Sequence, residues 1–253
     1  MTNKRAIEIS NLSFSYQGFA ILKKIQLRVE MGECIGIIGP NGGGKTTFLK
    51  LLMGFLKPQA GTVTLFGHPP EKGRTRIGYV PQIHRMDRDF PITVGELILL
   101  GNLSKIPKIG AIPKELEDQA DALMEELGLL AYKKQPFASL SGGQAQKALF
   151  CRALLSDPDL LLLDEPIANV DPHSTKQILT KLDALRGQKT ILFVTHDLPT
   201  ILERVDRILC IHGHLHSLLP AQVCEHFALG LYHTPLIDLP KNHFESCHDC
   251  ATH

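Results

Sequence analysis

The chain has 253 residues, is 43% hydrophobic and carries a formal net charge of +1. This is the size of one globular domain, with room for an inserted subdomain, and the nearly neutral charge argues against nucleic-acid binding. No apolar run approaches the roughly 18 residues of a membrane span, and the first residues contain no signal-peptide core, so we expect a cytosolic protein with only peripheral membrane contacts. Six cysteines are too few for a disulfide framework, and the apolar surroundings of Cys34 and Cys151 predict buried thiols.

The N-terminal region is predicted to form an antiparallel sheet. Residues 6–31 alternate weakly between apolar and polar side chains around a turn at residues 17–19, which indicates two or three strands. Thr62–Gly67 reads as a further strand ending in a turn. Tyr16 precedes the first turn, where it is either a core or edge aromatic or a ring that stacks on a nucleotide base.

A glycine-rich loop, Gly39–Thr47, lies between a predicted buried strand, Ile35–Ile38, and a predicted helix, Phe48–Met53. It meets the spacing G-x-x-x-x-G-K-T of a phosphate-binding loop, in which glycines allow backbone N–H groups to surround phosphate oxygens. Lys45 is placed to reach the β- and γ-phosphates, and the Thr46 hydroxyl to bind Mg²⁺. The flanking strand and helix distinguish this loop from an ordinary glycine-rich turn.

The middle of the chain is predicted to contain a helical insert, at about residues 85–155. A short strand, Ile77–Pro81, precedes it and is followed by Gln82, at the kind of strand end where ligands lie in α/β sheets. Alone, Gln82 would be a solvated loop residue. Thr93–Glu96 indicates a helix start with a capping box, and residues 114–130 have the pattern of an amphipathic helix.

Leu140–Gln144 reads Leu-Ser-Gly-Gly-Gln and precedes a predicted helix, Ala145–Leu155. Glycines at a helix N-terminus can bind an anion, although Ser-Gly-Gly is also a common loop sequence.

Two apolar strands, ending near Asp164 and near His196, are predicted to be buried in a parallel sheet. Asp164 and Glu165 close the first strand. Such a pair is often part of a helix cap, but after a phosphate loop it is the expected second half of an ATP site. His196 closes the second strand, where a lone histidine is more often structural than catalytic.

In this order and spacing, the motifs resemble the nucleotide-binding subunit of ATP-binding cassette (ABC) transporters over about residues 6–215. The resemblance implies an α/β fold of the P-loop NTPase class. Its parts are a RecA-like parallel-sheet core, an N-terminal antiparallel β-subdomain and an inserted α-helical subdomain. We therefore expect an ABC ATPase domain over residues 1–220 and a C-terminal tail over residues 221–253.

The resemblance also implies roles for individual residues. Glu165 is the general base, His196 contacts the γ-phosphate, and Gln82 touches Mg²⁺ and the attacking water. Magnesium would be held by Thr46, Gln82 and Asp164. The residues that hold the nucleotide, with Tyr16 stacked on adenine, are Tyr16, Gly39, Asn41, Gly42, Gly43, Gly44, Lys45, Thr46, Thr47 and Asp164.

A homodimer is implied as well, because Ser141, Gly143 and Gln144 would face the ATP of a second copy. Two positions depart from the family pattern. Lys147 stands where an arginine is usual, which keeps the charge but loses the planar fork. The segment Ala168–Asp171 is a variant of the family's D-loop that keeps its aspartate.

A finer resemblance, to importers of zinc, manganese or iron, lies in Asp89–Val94, Leu97–Gly101 and Ala228–His233. It implies a separate integral-membrane permease, an indirect extracytoplasmic binding protein, no nucleic acid, and a peripheral position at the cytoplasmic face of the membrane. The alternatives are another import system or a soluble ABC ATPase acting on DNA or ribosomes. The single cassette and the lack of a long coiled coil disfavour the latter.

The tail contains soft and borderline metal ligands at chelating spacing: His243, Cys247, His248 and Cys250. It is either a disordered segment with incidental ligands or a site that binds Zn²⁺ or a similar ion and reports metal to the ATPase.

Overall fold

The computed structural model describes residues 5–82, 91–107 and 109–223, and two β-sheets organise this part of the chain. The strands, in chain order, are β1 (Arg5–Tyr16), β2 (Phe19–Glu30), β3 (Cys34–Ile38), β4 (Ala60–Leu65), β5 (Ile77–Val80), β6 (Leu160–Asp164), β7 (Thr190–Val194), β8 (Arg207–His212) and β9 (His214–Leu218). The α-helices are α1 (Lys45–Leu52), α2 (Pro70–Gly73), α3 (Val94–Leu99), α4 (Lys114–Glu126), α5 (Gly142–Leu154), α6 (Pro172–Leu185) and α7 (Leu198–Leu202).

The smaller sheet has the order β2-β1-β4 and is antiparallel, as predicted for the N-terminal region. Gln17 and Gly18 both have left-handed φ angles, 47° and 87°, which is the backbone of a tight hairpin turn matched to the twist of its strands. The strand predicted at Thr62–Gly67 is β4, which ends at Leu65 and pairs with β1.

The larger sheet has the order β5-β6-β7-β3-β8-β9 and is parallel except for β9. Every residue of β3, β6 and β7 is buried, which explains their apolar sequences, since both faces of a parallel sheet are covered. The carboxyl ends of β3, β5, β6 and β7 share one edge of the sheet. This edge brings together the loops that carry the predicted site.

The β8–β9 hairpin does not follow from the sequence reasoning above. It pairs Cys210 with His216 and His212 with His214.

The helices between β5 and β6 match the sequence predictions in part. Thr93 caps α3 in a capping box with Glu96. Helix α4 ends at Glu126 rather than at 130, because the chain turns at Gly128, whose φ is +66°. Helix α5 begins at Gly142, so the glycines predicted to precede the helix form its first turn. The domain boundaries proposed from the sequence stay predictions.

The central sheet separates two apolar clusters. Ile35, Ile37 and Leu162 face the side covered by α1 and the antiparallel sheet, whereas Leu161 and Leu163 face the helices α3–α7. Among the described residues, no helix is both long and apolar enough to cross a bilayer.

Candidate functional site

The loop Gly39–Thr47 connects β3 to α1 and can be built only with glycine at critical points. Gly39 and Gly44 have φ angles of +148° and +103°, in the region that favours glycine. A Cβ at Gly39 would also overlap the carbonyl oxygen of Ile211 in β8. The neighbouring strand therefore holds the loop tightly against the sheet edge.

A cavity of about 440 Å³ opens above this loop. Five separate segments of the chain contribute to its wall, and the residues are Ile21, Asn41, Gly42, Gly44, Lys45, Thr46, Thr47, Gln82, Glu165 and His196. Most residues assigned to ATP binding and hydrolysis thus lie around one space. Ile21 was not singled out from the sequence, where it reads as an ordinary strand residue.

Lys45 is buried beneath the loop, with 7% of its surface exposed. Its Nζ donates hydrogen bonds to the carbonyl oxygens of Gly39 and Pro40, at 2.8 and 3.0 Å. Burial lowers the pKa of Lys45, and the carboxylates of Glu165 and Asp164 act in the opposite direction. The loop therefore positions a cation where phosphate oxygens would contact its ammonium group.

Asp164 is 3% exposed at the end of β6. Thr46 donates a hydrogen bond from Oγ1 to Asp164 Oδ2, at 3.0 Å, and Tyr79 is a second side-chain hydrogen-bond partner of this carboxylate. Hydroxyl and carboxylate oxygens are the ligands that Mg²⁺ prefers, so these residues fit a magnesium site. Tyr79 was read from the sequence only as part of a strand.

Glu165 lies between two of the other predicted catalytic residues. Gln82 Nε2 donates to its Oε2 at 2.6 Å, and Nε2 of His196 lies 2.6 Å from its Oε1. Its backbone has a left-handed φ of 50°, which is uncommon for a residue with a side chain and is often found at functional sites. Gln82 and His196 thus orient both oxygens of the Glu165 carboxylate, and Glu165 lines the cavity.

Tyr16 is not among the residues that line the cavity. It ends β1 with 43% of its surface exposed, and its ring meets that of Phe14 edge-on, with the centroids 4.8 Å apart. Stacking on adenine stays a prediction for this residue.

Ser141, Gly143 and Gln144 also lie outside the lining of this cavity. Ser141 caps α5: its Oγ accepts from the Gln144 backbone N–H at 3.3 Å, and Gln144 Oε1 accepts from the Ser141 N–H at 3.0 Å. This capping box was readable as Ser-x-x-Gln and was missed. Gly143 has no room for a side chain, because a Cβ would overlap Asp171 Oδ2.

Asp171 caps α6, and Lys147 joins α5 to α6. Asp171 caps α6 by accepting from the Ser174 N–H at 2.9 Å, and this bond lowers its pKa. Lys147, in place of the usual arginine, is buried and donates to Gln177 Oε1 at 2.8 Å. The ammonium group of Lys147 therefore makes a contact within its own chain.

The proposed tail ligands, His243, Cys247, His248 and Cys250, lie outside the described residues, as do Ala228–His233 and the start of the segment 89–94. Within the described ranges, no group of three or more His, Cys, Asp or Glu side chains is arranged to hold a metal ion.

Comparison with known proteins gives consistent matches. The family model described as ABC transporter matches residues 22–168. The chain is 35% identical to the zinc transport system ATP-binding protein TroB of Treponema pallidum, over 98% of this chain and 95% of the relative. It is 37% identical to the manganese transport system ATP-binding protein MntB of Bacillus subtilis, over 81% and 83%. The crystal structure of a nucleotide-free ATP-binding cassette from an ABC transporter superposes with a TM-score of 0.75 at 25% identity, over 92% and 98%.

Proposed function

The chain belongs to the ATP-binding proteins of ABC transporters, and from this premise we propose that it hydrolyses ATP to power an importer of a divalent metal ion such as zinc, manganese or iron. The names of the zinc and manganese transport relatives support a divalent metal ion as the transported substrate. The observation that carries the enzymatic part is the Glu165 carboxylate at the wall of the phosphate-loop cavity, oriented by Gln82 and His196.

The glycine-rich loop and helix α1 would bind the phosphates. The N-terminus of α1 begins at Gly44 without a side-chain cap, so its backbone N–H groups and its partial positive charge are available to an anion. Lys45 would exchange its two carbonyl acceptors for the β- and γ-phosphate oxygens.

Magnesium fits the oxygen atoms of Thr46 and Asp164, which already lie within hydrogen-bond distance, with Gln82 nearby on the cavity wall. When bound with ATP, the ion neutralises charge on the β- and γ-phosphates. Asp164 orients the Thr46 hydroxyl by accepting its proton in a hydrogen bond.

Hydrolysis requires a base near the γ-phosphate. Glu165 would accept a proton from the attacking water, Gln82 would orient that water, and His196 would contact the γ-phosphate. General-base catalysis typically contributes a factor of about 10² to 10⁴.

A second copy of the chain completes each site in this proposal. Ser141 and Gly142 are exposed at the start of α5 and lie outside their own chain's cavity, so they are free to face the ATP of a partner. ATP would select the closed homodimer and hydrolysis would release it. A membrane permease at the cytoplasmic face of the membrane would follow this motion, with an extracytoplasmic binding protein delivering the ion.

The test uses the chain co-purified with its membrane permease from native membranes, reconstituted in vesicles with the binding protein. We expect ATP-dependent uptake of Zn²⁺, Mn²⁺ or Fe²⁺, and Glu165→Gln to reduce ATP hydrolysis about 10²- to 10⁴-fold while prolonging the ATP-bound dimer. Wild-type hydrolysis by Glu165→Gln would remove the assigned base. Uptake of none of the three ions would remove the proposed cargo.

A further inference from the structure

Tyr79 and Asp164 lie on the same face of the central sheet. Strands β5 and β6 are parallel neighbours in which Tyr79 pairs with Leu162, and Asp164 is two residues further along β6. Side chains two residues apart point to the same side of a strand, and a diagonal neighbour is within reach of an aromatic side chain. This face is the one covered by α1, which carries Thr46.

The phenol is a donor to the Asp164 carboxylate. The two side chains share a hydrogen bond, and an ionised carboxylate can only accept. Burial, together with the charge of Asp164, raises the pKa of Tyr79 to about 12.

Asp164 therefore has two hydroxyl donors, from Thr46 on α1 and from Tyr79 on β5. Because the carboxylate is almost fully buried, these two bonds restrict its rotation. The Tyr79 ring packs against the apolar cluster on this side of the sheet, so the position of its hydroxyl is itself restricted.

We propose that Tyr79 is a positioning residue for the magnesium site, whose hydroxyl holds the Asp164 carboxylate in the orientation that meets the Thr46 hydroxyl and the ion. This inference rests on the proposed function. It also links two parts of the site, because β5 ends at Val80 and leads directly to Gln82. A movement of the Gln82 segment would then be transmitted to Asp164 through the strand that carries Tyr79.

The test compares Tyr79→Phe with a matched control, Tyr132→Phe. Phenylalanine keeps the ring and removes only the hydroxyl. Tyr132 is also partly buried, but it packs against the cluster on the opposite side of the sheet and does not line the cavity. The measurement is the affinity for a non-hydrolysable ATP analogue, by calorimetry, in Mg²⁺ and in EDTA.

In EDTA, we expect Tyr79→Phe to bind the analogue within about twofold of wild type. The factor by which Mg²⁺ increases the affinity should be about tenfold smaller in Tyr79→Phe than in wild type, which is the size expected for a hydrogen bond to a charged group. Tyr132→Phe should change neither value. With Mn²⁺ as the probe, the electron paramagnetic resonance spectrum of the bound ion should change in Tyr79→Phe alone.

Two results would overturn the assignment of Tyr79: a Mg²⁺ gain equal to that of Tyr132→Phe, or equal losses in Mg²⁺ and EDTA, which indicate a general effect on the pocket or the fold. A loss of more than a few degrees in the unfolding temperature in EDTA would count in the same way. If the wild-type chain itself gained no affinity from Mg²⁺, the proposed ATP site would fail, and the role of Tyr79 with it.

Discussion

The phosphate loop and the Leu-Ser-Gly-Gly-Gln segment both lie at helix N-termini, yet they are built differently. Helix α1 has Gly44 as its N-cap and no side-chain cap, so its first amides are available to a ligand. Helix α5 has Ser141 as its N-cap, and Ser141 and Gln144 satisfy each other's backbone N–H groups. The first helix end has no side-chain cap, whereas the second is capped by side chains of its own chain.

The surroundings of the two ends differ in the same sense. The phosphate loop faces a cavity that Gln82, Glu165 and His196 complete from other strands, whereas the start of α5 is exposed at Ser141 and Gly142. The fold of a single chain thus assembles the cavity above the phosphate loop, whereas the start of α5 faces outward, where the proposed function places a partner's ATP. Three experiments test this difference.

The largest effect is expected at the phosphate loop. Lys45→Ala removes a buried ammonium group that supplies charge-assisted hydrogen bonds to phosphate, so affinity for the ATP analogue should fall about 10²-fold in the single chain. Calorimetry on the monomer measures this. Unchanged affinity would show that the loop does not hold phosphate through Lys45.

A smaller effect, which concerns only ATP-dependent dimerisation, is expected at the start of α5. A Cβ at Gly142 meets no atom closer than 3.7 Å, so Gly142→Asp fits within the chain, and its carboxylate suits the first turn of a helix. It would repel the phosphates of a partner's ATP, weakening ATP-dependent dimerisation of the Glu165→Gln chain about tenfold.

Gly142→Asn is the matched control, with the same size and no charge, and should dimerise more tightly than Gly142→Asp. Single-chain affinity for the analogue should be unchanged in both variants. If Gly142→Asp weakened binding in the monomer instead, the segment would act within its own chain, and the comparison drawn here would fail. Analytical ultracentrifugation with ATP distinguishes the outcomes.

The smallest effect concerns two buried thiols, one in the strand that leads to the phosphate loop and one in helix α5. Cys34 begins β3, which leads to the phosphate loop, and Cys151 lies in α5; burial raises the pKa of each to about 12. Their thiolate content at pH 8 is therefore about a thousandfold below that of an exposed cysteine.

Alkylation followed at the peptide level should thus be slow at both thiols. Adding the ATP analogue to single chains should slow it severalfold further at Cys34 and leave Cys151 unchanged, because ligand binding stabilises the region it contacts. Equal protection of both thiols in the monomer would contradict the difference between the two helix ends.

The sequence alone determined the features that depend on neighbouring residues. These features are the phosphate loop, the buried strands β3, β6 and β7, and the capping box at Thr93. Each can be predicted from a short segment, because turn geometry, burial on both faces and helix capping involve only a few consecutive residues. The capping box at Ser141 belongs to this class and was overlooked.

Only the tertiary structure decided which of these residues meet. Gln82 reaches Glu165 across 83 positions, and Tyr79 reaches Asp164, because the register of parallel strands sets their distance and no local pattern encodes it. In the same way, the need for glycine at Gly143 comes from Asp171, which caps another helix. Local chemistry was therefore readable from the sequence, whereas the contacts that orient each catalytic atom required the packed sheet and helices.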